Sequence, residues 1–114
     1  MYRYILCLIL VLIPSLSFAE VDQSVPRFIA ETAKQYGIDP GMALYVSWHE
    51  SNWKCSVRGD GGHSRGCWQI SKIWHPKVSD KTAFSLEKST HWAMKTMQKD
   101  GGCKQWSTCP NNDS

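Results

Sequence analysis

A mainly α-helical fold interrupted by one glycine-rich loop or minimal β-hairpin is what this sequence predicts, and three observations predict it. Apolar residues recur at helical spacing within 25–36, 42–48 and 86–97. Each of these stretches is bracketed by residues that start or stop helices. Between the second and third, residues 58–66 read RGDGGHSRG, with four glycines in nine positions, a composition that turns rather than propagates. The 114 residues, 42% hydrophobic and 11% aromatic, are too few for a multidomain enzyme and too apolar for a disordered chain. Eight glycines and no sustained heptad exclude collagen-like and coiled-coil architectures.

In chain order, the first segment is expected to be removed. Arg3 gives a short basic start, residues 5–13 are an unbroken apolar run, Pro14 and Ser15 end it, and Ser17 and Ala19 place small residues at −3 and −1. This is the pattern of a signal peptide over 1–19, cleaved after Ala19. The competing reading, a membrane anchor, needs about 20 apolar residues. The mature chain, 20–114, is then a single soluble domain, periplasmic or secreted, with no stable membrane insertion. It keeps twelve basic and ten acidic residues, scattered along the chain, which argues against nucleic acid as partner. A monomer is expected.

Ser24 with Pro26 in the first turn starts the first helix, whose Val25, Phe28, Ile29, Ala33 and Tyr36 share a face until Gly37 stops it. Asp39-Pro40 starts the second, which is apolar over most of its circumference, reads as central, and ends near Ser51. Ser85 opens the third, with Leu86, Trp92, Ala93 and Met97 on one side and Gly101-Gly102 after it. The remaining polar tail has one anchor, Trp106. With Cys7 removed, four cysteines remain. An even number in a small exported chain reads as two disulfides, with three pairings available. The local one, Cys55–Cys67 and Cys103–Cys109, is favoured because each pair brackets a short loop. Zinc is disfavoured: the cysteine spacings are not C-x-x-C, and no histidine pair stands at ligand spacing. No metal and no cofactor is expected.

Glu50 is the candidate for chemistry. It falls in the last turn of the most apolar helix, where a carboxylate opposes the helix dipole at a cost of about 0.3–1 kcal/mol. Tyr45, Trp48 and Trp53 nearby would reduce its solvation and raise its pKa, as a general acid requires. A solvated helix-end glutamate is the plainer reading of the same position. The following loop adds Ser64 and Gln69 as hydrogen-bonding groups, and Trp53, Trp68 and Trp74 offer flat faces for sugar rings, although most tryptophans in so small a domain belong in its core. His63 stands in the loop within reach of a ligand, whereas His75 and His91 read as surface or helix-packing residues. Trp53 stands where an H-E-x-x-H zinc motif would need its second histidine.

Trp48-His49-Glu50-Ser51-Asn52-Trp53, followed by Ser64-Arg65-Gly66-Cys67-Trp68-Gln69-Ile70, resembles the lytic transglycosylase domain of the soluble type. That family joins a helix-ending Glu-Ser to S-x-G-L-M-Q-I/L about a dozen residues on; Cys67 and Trp68 stand here for Leu and Met. The resemblance covers 42–70 closely and 84–106 as a helical pattern. It implies a lysozyme-like fold and peptidoglycan as substrate, with Glu50 as the catalytic acid/base. Ser51, Ser64 and Gln69 would orient Glu50 or touch the sugar, with Trp68 as a further contact. The family's later Tyr-Asn motif has no good counterpart in 106–112. Asp60 also resembles the loop aspartate of goose-type lysozymes, which implies a water-positioning role; capping a glycine-rich turn is the alternative.

The resulting expectation is an exported lytic transglycosylase cutting between N-acetylmuramic acid and N-acetylglucosamine and leaving anhydro-muramic ends. Small domains resembling this one accompany envelope-spanning secretion or conjugation machines. The alternatives are a hydrolytic lysozyme using Asp60-held water and a non-catalytic glycan-binding module.

Overall fold

The structure, a computed structural model, describes residues 22–110. The expected signal peptide, Cys7 and the last four residues lie outside them. The order of elements is α1 (Ser24–Gln35), α2 (Pro40–Ser51), β1 (Arg58–Gly59), a 3-10 turn (Asp60–Gly62), β2 (Ser64–Arg65), β3 (Ile70–Ser71), α3 (Asp80–Ala83) and α4 (Leu86–Asp100). No helix among the described residues is long and apolar enough to cross a membrane.

The helices begin and end for local reasons. Asp39 caps α2 by accepting the Gly41 N–H at 3.0 Å, with Pro40 as its first residue, as expected. Ser85 caps α4 through the Lys88 N–H, and Ser79 caps the short α3, which the sequence pattern did not reveal, through the Thr82 N–H. Ser24 does not cap α1. It is the first helical residue, and its own N–H is taken by the Asp22 carboxylate at 2.9 Å, because that longer side chain reaches the orphan donor from outside the helix.

α2 is less enclosed than its composition suggested. Ala43, Val46, Ser47 and Ser51 form its buried face, while Tyr45 and Trp48 stay 45% and 42% exposed on the opposite side. Its hydrophobic residues therefore serve two surfaces, one packed and one open. Tyr45 lies against His49, and Trp48 against Trp53. The core is filled by Ile29 and Ala33 of α1, Ala43 and Val46 of α2, Cys67, Trp68 and Ile70 of the loop region, and Ala93, Met94 and Met97 of α4.

The glycine-rich insertion is a three-stranded antiparallel sheet of two-residue strands, ordered β1-β2-β3. Arg58 pairs with Arg65 and Gly59 with Ser64, then Ser64 with Ser71 and Arg65 with Ile70. Strands this short cannot hold themselves. Arg65, 1% exposed, supplies the missing support. Its guanidinium donates to the carbonyls of Ile70 and Val78 at 3.1 and 2.7 Å and to Asp80 Oδ1 at 3.0 Å, stitching β3, the 72–79 segment and α3 together. Asp80 is held below the usual carboxylate range, first by this hydrogen bond from Arg65. Arg65→Met keeps much of the volume and strands those acceptors. It should lower stability by about 3 kcal/mol, read as the midpoint shift in urea unfolding followed by circular dichroism.

The two disulfides are Cys55–Cys67 and Cys103–Cys109, the pairing expected. All four described cysteines are thus committed to crosslinks.

Candidate active site

An open cleft of about 530 Å³ runs between α2, the sheet and the C-terminal tail. α2 contributes Glu50 from its last turn. The sheet contributes Asp60 from the 3-10 turn, Ser64 from β2, and Gln69. The far wall is aromatic, with Trp74 and His75 after β3, Trp92 from α4 and Trp106 from the tail.

Glu50 stays partly exposed, and the Thr108 hydroxyl donates to its Oε2 at 2.6 Å. Burial raises its pKa above the ordinary carboxyl value. The Thr108 hydrogen bond opposes that rise, Asp60's charge adds to it, and His49 opposes it weakly. A carboxyl so placed keeps its proton to higher pH than a solvated one. The direction matches the expectation. Tyr45, Trp48 and Trp53 do not line the cleft; the tryptophans that share it with Glu50 are Trp74, Trp92 and Trp106. The reason is angular. One residue along a helix is about 100° around it, so Glu50 faces the sheet while Trp48 and His49 face outward.

Ser51 touches no cleft. It is buried, and its hydroxyl donates to the Ser47 and Cys67 carbonyls at 3.1 and 2.8 Å. It therefore fastens the end of α2 to the loop and so fixes where Glu50 emerges. Ser64 lines the cleft, but its hydroxyl is given to Asp60 Oδ2 at 2.6 Å. Gln69 also lines the cleft, while its Nε2 donates to the Val57 and Gly66 carbonyls at 3.3 and 2.9 Å, closing the loop on itself. A Cβ at Gly59 would meet Gln69 Oε1, so the glycine makes room for this side chain. Asp60 and Gln69 both adopt left-handed backbone, φ 51° and 48°, which costs non-glycine residues about 1–2 kcal/mol each. Strain of that kind is tolerated where the surroundings enforce it, and here both residues face the cleft.

Trp68 is a correction. It is 0% exposed, its indole N–H donates to Thr90 Oγ1 at 3.0 Å, and its ring packs on Trp106. It is core, not a sugar platform, as the apolar Met it replaces in the motif would be. Trp53 is likewise turned inward, donating to Ser47 Oγ. Of the three tryptophans considered, only Trp74, 80% exposed, stands at the cleft. His63 is not part of the lining. His91 packs between helices, touching the Tyr36 hydroxyl at 2.6 Å, whereas His75 lines the cleft, edge-on to Trp92 at 4.9 Å between ring centroids. His75, Trp92, Gln105, Ser107 and Thr108 were not singled out from sequence, because each comes from a segment remote from the Glu-Ser motif.

A family model described as a lysozyme-like domain matches residues 29–108, which run from within α1 to Thr108 and include every residue that lines the cleft. The chain belongs to this lysozyme-like family, of the soluble lytic transglycosylase type. No curated protein and no solved structure matches it. A lysozyme-like domain with a carboxyl in a sugar-sized cleft supports a peptidoglycan-cleaving enzyme at the level of class. The two disulfides are consistent with a compartment outside the cytoplasm.

Proposed function

We propose that this lysozyme-like domain is a lytic transglycosylase in which Glu50 acts first as general acid and then as base. The observation that carries the reading is Glu50 itself: a half-buried carboxyl in an open cleft, its pKa raised by burial, with one oxygen held by a hydroxyl. A single such group suffices for the reaction. Glu50 gives its proton to the glycosidic oxygen as the bond from the muramic C1 breaks. The substrate's own acetamide stabilises the positive carbon. The carboxylate then takes the proton of the C6 hydroxyl as that oxygen closes on C1. Glu50 regains its proton and no water is consumed, unlike the usual two-carboxylate scheme.

A second reading has an observation of its own. Asp60 shares the cleft with Glu50, and its carboxylate is oriented by Ser64. A water held by Asp60 would make the enzyme a hydrolase. Mass spectrometry of muropeptides after incubation with purified 20–114 separates the two. Products ending in anhydro-muramic acid are expected. Reducing-end products, one water heavier, would replace this reading with the hydrolytic one and make Asp60→Asn the next variant.

The same proposal includes export, with removal of 1–19, and action on glycan strands in the periplasm or outside the cell as a monomer. Local opening of the wall for an envelope-spanning secretion or conjugation apparatus suits an enzyme of this size.

A further inference from the structure

The tail after α4 contains a disulfide-closed loop, and Thr108 within it bonds Glu50 from 58 residues away in sequence. We infer that Thr108 is the positioning residue for Glu50, holding Oε2 so that Oε1 is the oxygen that exchanges protons with the glycan. The inference deepens the reading of Glu50 as acid/base and rests on it.

The geometry has three parts. The Thr108 Oγ1–Glu50 Oε2 separation, 2.6 Å, is that of a short hydroxyl–carboxyl hydrogen bond, with the hydroxyl donating. With Oε2 occupied as an acceptor, the acidic proton resides on Oε1. Thr108 is itself fixed from both sides. Two residues earlier, Trp106 is 6% exposed and its indole donates to the Trp68 carbonyl at 2.8 Å. One residue later, Cys109 is bonded to Cys103 at the foot of α4. The loop between them is closed by backbone bonds from Trp106 to the Cys103 carbonyl and from Cys109 to the Trp106 carbonyl, both 3.0 Å. A β-branched side chain on so constrained a backbone has little rotamer freedom left. The rigidity passes to the carboxyl, which otherwise turns about its last bond.

The hydroxyl also has an electrostatic consequence. Burial favours the neutral acid, and the Thr108 donor favours the anion, which the second half of the reaction needs. The other titratable groups about Glu50 are Asp60 from the 3-10 turn, His75 from the segment after β3 and His49 on its own helix. Among the described residues, α4 and the tail contribute no ionisable side chain to the cleft lining.

Thr108→Val keeps the shape and removes the donor. Two readouts are taken on the intact protein: the Glu50 carboxyl titration by 13C NMR and the pH profile of kcat on glycan strands. Expected are a higher Glu50 pKa, an alkaline limb displaced upward with it, and kcat lower by about tenfold with KM little changed. Thr108→Ser should restore both readouts. A loss of kcat with an unmoved titration and no rescue by Ser would mean that Thr108 merely packs the tail, and would overturn the inference. Glu50→Gln runs beside it. Activity retained in that variant overturns the acid/base reading and the inference together. Activity lost there, with the titration unmoved in Thr108→Val, overturns the inference alone.

Discussion

Glu50→Gln is expected to abolish glycan cleavage, by about 10³-fold, in a protein that remains folded and still binds glycan. The amide has the shape of the acid and can still accept the Thr108 hydrogen bond, but it can neither give nor take the proton. Muropeptide release measures the loss, and calorimetric titration with glycan oligomers measures the binding. Binding retained without cleavage identifies an enzyme; unchanged biology with equal binding and no cleavage in either protein would identify a binding module instead. The pH behaviour follows from the same group. Cleavage requires the protonated acid, so activity falls as pH rises through the Glu50 pKa, which burial has moved upward. Stability has the same sign. A carboxyl whose folded pKa is raised contributes stability that is present below its unfolded pKa and lost as pH rises through the folded one. Glutamine never ionises, so the Tm of Glu50→Gln relative to the wild type should rise between acidic and neutral pH. A flat difference would mean that Glu50 is solvated.

Gly66→Ala is expected to cost more than any other exchange of similar size, about 4–5 kcal/mol. Two effects combine. Gly66 has φ +79°, where a side chain is strained, and its Cβ would collide with the Ala83 carbonyl oxygen, with the Cys55 carbonyl 3.4 Å away. Backbone on both sides cannot rotate aside as a side chain would. The loss is comparable to the whole stability of a small domain, about 5–10 kcal/mol, so soluble yield and the urea midpoint should both collapse. Gly61→Ala is the internal comparison. Its φ is +66°, but nothing lies within 4 Å of its Cβ, so only the conformational part, about 1 kcal/mol, should appear. Equal losses in the two variants would mean that the close approach of the loop to α3 is absent.

Gly66 also shows what the motif S-x-G-x-x-Q-I does. From sequence it reads as part of a loop that contacts sugar. In the structure most of its members hold the loop shut: Arg65 bridges β3 to α3, Gly66 lets α3 come close, Trp68 fills the core and Gln69 ties Val57 to Gly66. Glu50 remains the group free to act, and the rest of the motif decides where it stands.

Much of this protein was determined by local sequence. Helix limits depend on residues within a turn of each end, so Asp39-Pro40, Ser85 and Gly101 were readable, and the disulfide pairing followed from short loops. The position of Glu50 at the end of α2 was readable for the same reason. Which groups surround Glu50 was decided only by tertiary packing. A helical sequence gives the angle of a side chain but not what stands opposite, so it offered Tyr45, Trp48 and Trp53 as neighbours of Glu50, whereas the tryptophans that line the cleft with it are Trp74, Trp92 and Trp106. Thr108 reaches Glu50 because a disulfide and a buried indole fold the tail back across the sheet, a contact spanning 58 residues that no local pattern encodes.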